Sequence, residues 1–304
     1  MELYYSPEYT GSAYSFETTR KAAWVADSLL ADPIGGVDLV EPQPITWEQV
    51  AQVHDPEYIR AIRDGAPRHL AESQGFTWDP GLWPMVLSSN GGAVAAALSA
   101  LQRGVAGSLS SGLHHARRDI GAGYCTFNGL VIAAREALAA GASSVLILDF
   151  DAHCGGGTAS LVAEDERIRQ VDVAVNSFDY YPDALRERSE GRLWFSLVQR
   201  GDDYLHEIAR GLDEAARYHP DRPGGPSRPL CLYNAGMDPH QGSAGGLAGI
   251  TAEILAARER MVFDWARVQG VPIAFVLAGG YLGSGLDRAG LVALHRLTIA
   301  AAVD

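Results

Sequence analysis

Asp149, Asp151 and His153 occupy alternate positions near the end of the stretch 145–158, VLILDFDAHCGGGT. The residues leading to them are large and apolar, with β-branched Val145 and Ile147, as suits a strand buried on both faces of a sheet. Side chains alternate along a strand, so the two carboxylates and the imidazole point the same way. They do so where the strand runs out into the glycine turn at 155–157. In open α/β sheets ligands bind at that carboxyl end. Asp and His are also the ligand types a catalytic zinc takes while keeping one position open for water. The plainer reading of any one of them is an Asp capping a helix, or a His satisfied by a backbone carbonyl. Three on one face beside glycines argue for a metal.

Three other strand ends carry residues suited to chemistry. His114 and His115 follow the strand expected at 105–110 and sit in a glycine-rich turn. One alone is more often a packed or surface histidine, but a pair can supply the general base and general acid of a hydrolysis. Asp238, in LYNAGMDPH, follows the strand at 230–235 and is the natural third protein ligand beside Asp151 and His153; its plainer role is an N-cap. Neighbouring His240 is a weaker ligand candidate and reads rather as a loop-surface residue. Tyr281, in FVLAGGYLGSG, can donate its hydroxyl to an oxyanion or simply line the cleft rim. Neither glycine tract reads as a phosphate loop, because 155–158 lacks the lysine and the tract near 280 lacks a following acidic strand end.

The elements that must position these residues alternate between strand and helix: strands at 2–6, 37–40, 105–110, 145–150, 171–177, 192–198, 230–235 and 273–278, and helices at 17–30, 46–64, 87–102, 130–140, from 158, 204–218, 247–268 and 289–302. Residues 65–84 and 178–190 read as long loops, and 221–229 as a surface turn. Such alternation means an α/β fold with a mostly parallel sheet covered on both faces. The chain has 304 residues, 47% of them hydrophobic, enough for one large domain or at most two. Its formal net charge of −13 and pI near 5.1 disfavour nucleic acid and favour cationic ligands, although acidity alone also serves solubility. No signal peptide and no membrane span are read from the sequence. Cys125, Cys154 and Cys231 are too scattered for a disulfide framework, which fits a reducing cytoplasm.

HHARRDIGAGYCTFN, DFDAHCGGG, NAGMD and AGGY, with QVHDPEYI at 52–59, stand in an order and near a spacing that resembles the zinc-dependent histone deacetylase family, which includes the acetylpolyamine amidohydrolases. The resemblance covers most of the chain and implies one catalytic domain over 1–304 with the three-layer arginase/deacetylase fold around an eight-stranded sheet. It implies one Zn2+ held by Asp151, His153 and Asp238. His114 and His115 would be the catalytic pair, with Asp149 behind His114, and Tyr281 the transition-state hydroxyl. Tyr124 and one of Tyr180 or Tyr181 would wall the acyl tunnel, Gly123 would floor it, and Gly279 and Gly280 would also meet substrate. Asp149, Asp151, His153 and Ser177 match a family site for a structural K+ or Na+, and Arg20 an arginine below the active site. The implied partner is an acylated amine such as N-acetyl-lysine or an acetylpolyamine; a homodimer is left open.

One departure stands out. The family writes the metal strand's end as D-x-D-x-H-H-G-D/N-G, whereas here Cys154 replaces a histidine and Gly156 the Asp or Asn that holds the second histidine of the pair. His115 is then expected to lose an orienting hydrogen bond unless another residue or a water supplies it. Two rival readings follow: a binuclear manganese ureohydrolase of the same fold, and an acyl-amine binding module with weakened acid/base machinery.

Overall fold

The computed structural model describes residues 1–217 and 228–304. Eight strands form one sheet: β1 (Glu2–Tyr4), β2 (Asp38–Val40), β3 (Val105–Ser108), β4 (Ser144–Asp149), β5 (Ile168–Ala174), β6 (Leu193–Leu197), β7 (Pro229–Gly236) and β8 (Ile273–Ala278). Their order is β2-β1-β3-β8-β7-β4-β5-β6, and every described pairing is parallel. The sheet is thus all-parallel, where a mostly parallel one is expected from the sequence. Parallel strands need crossovers, and the helices that supply them cover both faces.

The pleat sends alternate residues to two separate cores. Val145, Ile147, Leu230 and Leu232 join one, with Ala96, Ala97 and Ala100 of the helix Leu82–Arg103. Leu148, Cys231, Tyr233 and Phe275 join the other, with Val262 and Phe263 of the helix Ala252–Gln269. Leu82–Arg103 is long and apolar enough to cross a membrane by composition, but 78% of its apolar window is buried inside the protein, so its small residues serve close packing on the sheet.

Local signals set several boundaries. Thr46 and Gln49 form a reciprocal capping box, and Asp55 caps Pro56–Asp64, which ends at Gly65. The expected loop at 65–84 instead contains the short helix Arg68–Ala71 and the first turn of Leu82–Arg103. Residues 178–190 likewise contain the helix Asp183–Arg188. The helix expected from 247 begins at Ala252, because Thr251 caps it by accepting from Ile254 N and Gly249 before it is left-handed. The expected turn at 221–229 lies mostly outside the described residues.

Candidate active site

β4 and β7 lie side by side with Asp149 in register with Asn234, so the two strand tips face one another. Asp151 and His153 come from the first, and Asp238 from two residues past the second. One ligand atom from each lies within 4.8 Å of the others. His153 Nδ1 stands 3.1 Å from both Asp151 Oδ1 and Asp238 Oδ2. Backbone donors fix the carboxylates: Ala152 N donates to Asp238 Oδ1 at 3.0 Å, and His153 N to Asp151 Oδ1 at 3.0 Å.

The electrostatics of this cluster test whether a cation fits. Burial and the neighbouring Asp151 charge push the Asp238 carboxyl up. Burial opposes charge on His153, but Asp151 and Asp238 outweigh it and hold the imidazole up at about 11. The pocket thus draws a proton onto the ring between its two acids. A divalent ion held by Asp151, His153 and Asp238 would bring more charge than that proton and displace it, as imidazole and carboxylate sites do on loading metal. The residues therefore fit a divalent cation, and three ligands suit one ion with an open position. Gly279, at φ 48°, makes room here, since a Cβ on it would stand 2.0 Å from Asp238 Oδ1. Gly280 backs onto Leu291 and His295 instead.

Behind the triad, His114 Nδ1 donates to Asp149 Oδ2 at 2.7 Å, and Asn234 Nδ2 donates to Asp149 Oδ1 at 2.8 Å. Burial lowers the His114 imidazole, but Asp149 and Asp151 prevail and hold it up at about 10. A buried arginine braces the backbone between the two aspartates: Arg258 donates to Phe150 O at 3.1 Å and to Tyr204 Oη at 2.9 Å, and pairs with Glu259. No sequence signal marks it, because its role is to a carbonyl 108 residues away.

His115 reaches the pocket floor. Burial, then the charge on His114, push its imidazole down to about 4, so it is a neutral base at ordinary pH. Its Nδ1 lies 3.0 Å from Asp179 Oδ2. The orienting hydrogen bond expected to be missing with Gly156 therefore comes from a different residue. The main sequence support for a weakened binding module falls away with it. Cys154, where a histidine is expected, turns its buried thiol to Asn176 O.

Above this floor opens a pocket of about 390 Å³ walled by Phe16, Tyr124, Phe178 and Tyr281, with His115 and His153 at its base. Phe16 stacks on Tyr124 at 4.3 Å. Phe178 meets His115 edge-on at 4.9 Å, and Tyr281 lies 6.2 Å from the His153 ring. Gly123 belongs to this lining, and a Cβ there would press to 2.5 Å on the His115 ring.

Two expectations are corrected. Tyr180 and Tyr181 do not line this pocket: they stack on each other and pack against Phe195, and Phe178 takes the wall position. Arg20 is exposed; the cation beneath the site is its neighbour Lys21, fully buried with Nζ donating to Gly279 O. Burial lowers that amine to about 8 against the pull of Asp238 and Asp151. Of the four residues matched to a monovalent ion, Asp149 and Asp151 are buried and Ser177 is exposed, one residue past Asn176, which bridges to His153. The buried neighbour of Asp149 is Asp172, in register on β5 and pushed well up by burial and by Asp149. His240 accepts from Gly242 N and stays outside the triad. His54, in QVHDPEYI, is structural: it donates to Arg117 O at 2.8 Å and accepts from Asn128 N at 2.9 Å, tying down the loop that carries His114 and His115.

The profile of the histone deacetylase domain matches residues 15–297. The chain belongs to the histone deacetylase family. An uncharacterized protein of Picosynechococcus is similar to this chain, 32% identical over 275 residues, covering 88% of this chain and 87% of its own. Histone deacetylase 2 of Arabidopsis thaliana is 27% identical over 259 residues, 81% of this chain and 64% of that longer protein. The crystal structure of an acetylpolyamine aminohydrolase from Burkholderia pseudomallei superposes with a TM-score of 0.80 over 99% of this chain and 98% of its own, at 20% identity, so the two share a fold.

Proposed function

We propose that this family member is a zinc-dependent amidohydrolase that removes an acyl group, acetyl for preference, from an amine such as N-acetyl-lysine or an acetylpolyamine. The observation that carries the reading is the convergence of Asp151, His153 and Asp238 within 4.8 Å beneath a pocket floored by a neutral histidine. A zinc ion held there supplies Lewis acidity, acidifying water and polarising an acyl carbonyl. His115 presents Nε2 as a proton acceptor once Nδ1–H is committed to Asp179. It takes a proton from the attacking water and returns it to the leaving amine. His114, held by Asp149, keeps a positive charge behind the site. Tyr281, on the pocket wall, is the donor to the oxyanion. The aromatic walls Phe16, Tyr124 and Phe178 exclude water and suit the methylene chain of an acylated amine. The net charge of −13 supports a cationic substrate. Three clustered ligands give less support to a binuclear ureohydrolase.

The test is hydrolysis of a fluorogenic acetyl-lysine peptide and of an acetylated diamine, with zinc stoichiometry measured before and after chelation. Activity that disappears with the metal and returns with one zinc per chain is expected. Two tightly held ions, or turnover indifferent to chelator, would remove the reading. Tyr281→Phe is expected to keep its zinc and lose turnover by about 10²–10³-fold.

A further inference from the structure

We infer that Asp179 is the positioning residue of His115, brought in from the loop after β5 through space that Gly156 leaves vacant. The inference rests on the amidohydrolase reading for what His115 does, but its geometry stands independently.

The Asp179 carboxylate is 6% exposed and each oxygen is committed. Oδ2 receives His115 Nδ1–H at 3.0 Å and Gly157 N–H at 2.9 Å, while Oδ1 receives the Arg117 guanidinium. The other arm of that guanidinium donates to Gly156 O at 3.2 Å, so one arginine spans the carboxylate and the glycine beside it. A Cβ on residue 156 would stand 2.1 Å from Asp179 O and 2.7 Å from its Oδ1. Real Cβ atoms do not approach oxygen so closely, so a side chain at 156 and this placement of 179 exclude each other. Asp179 also sits at φ 58°, a region Asp enters more readily than most residues but at some cost. The turn is tied by Cys154 N donating to Phe178 O at 3.0 Å. Gly156, Asp179 and Arg117 thus form one device.

A loop staple would also explain the bonds to Gly157 N and Arg117. What a staple has no need of is the imidazole. By accepting from Nδ1–H, Asp179 fixes the tautomer that leaves the Nε2 lone pair free, and it fixes the ring plane.

The experiment compares Asp179→Leu, near-isosteric and unable to accept, with Asp179→Asn, which keeps an oxygen acceptor, in zinc-loaded protein of verified stoichiometry. Leu is expected to lower kcat by about 10–100-fold with KM changed by less than about twofold, and Asn to recover most of that loss. In parallel, side-chain ¹⁵N spectra of histidine-labelled protein, with His115→Gln used for assignment, are expected to show the Nδ1–H tautomer of His115 in wild type and Asn, and its loss in Leu. An unchanged tautomer and kcat in Leu, or equal losses in Leu and Asn with the tautomer retained, would overturn the inference. If Leu does not fold, Asp179→Ala takes its place with the same expectations. Wild-type protein that hydrolyses no acylated amine would sink the functional reading alone, because the tautomer comparison still decides the role of Asp179.

Discussion

Two histidine–carboxylate pairs stand next to each other beneath the pocket, their rings 4.0 Å apart, and are built in opposite ways. In His114–Asp149 the carboxylate is on the last residue of a central strand, fully buried, locked by register with β7 and by the Asn234 amide. In His115–Asp179 the carboxylate arrives from a loop on the other side of β5, held by an arginine and one backbone N–H. A strand-tip acid is fixed by the sheet and cannot move without dismantling it. A loop acid needs only a donor to hold it and a gap to enter, and Gly156 is that gap.

This contrast yields measurements that break it or sharpen it. The largest effect is expected from the strand-held pair. Asp149→Ala leaves His114 and Asn234 facing a buried hole, and stability should fall by about 3–5 kcal/mol in denaturant melts, together with activity. Asp179→Leu should move the same midpoint far less; equal losses would mean the loop pair is as much part of the core as the strand pair.

A smaller effect concerns the scaffold behind both pairs. His54 is buried neutral, pushed by burial to about 4 from 6.5. A base whose folded pKa is depressed contributes its stability above the unfolded value. That stability is lost as pH falls from 6.5 through about 4, on the order of 3 kcal/mol in all. Thermal melts across that window should steepen in wild type and flatten in His54→Gln; identical slopes would show that His54 does not titrate with unfolding.

The smallest effect separates wall from surroundings. Phe178→Ala should raise KM several-fold by removing apolar lining, whereas Tyr180→Phe should leave both kcat and KM near wild type, since Tyr180 stacks away from the pocket. A KM change in the tyrosine variant would return it to the substrate path.

The same contrast explains what the sequence made legible. Asp149, Asp151 and His153 declare themselves by alternation on a strand, and Asp238 by ending the strand paired with it, because register turns spacing into proximity. Asp179 lies in SFDYYP, which has no period, and is 64 residues from its partner. A signal was nonetheless present: with Gly156 offering no side chain, Asp179 is the acid within the short turn leading from β5 to Pro182. Lys21, not the expected Arg20, lies beneath the site because one step along a helix turns a side chain by about 100°. One of Tyr180 or Tyr181 is expected at the wall, but a tight turn with left-handed Asp179 re-aims its neighbours. Arg258 and Lys21 act on backbone carbonyls, and no local pattern encodes a distant carbonyl.

Phe178 and Asp179 are consecutive residues with different contacts, one lining the pocket and one bonded to the His115 imidazole. On the proposed function, reshaping that turn to admit bulkier acyl groups would change pocket lining and His115 positioning together. The opposite wall, where Phe16 stacks on Tyr124, has no bond to Asp179, and Phe16 is the side chain from which to widen the pocket.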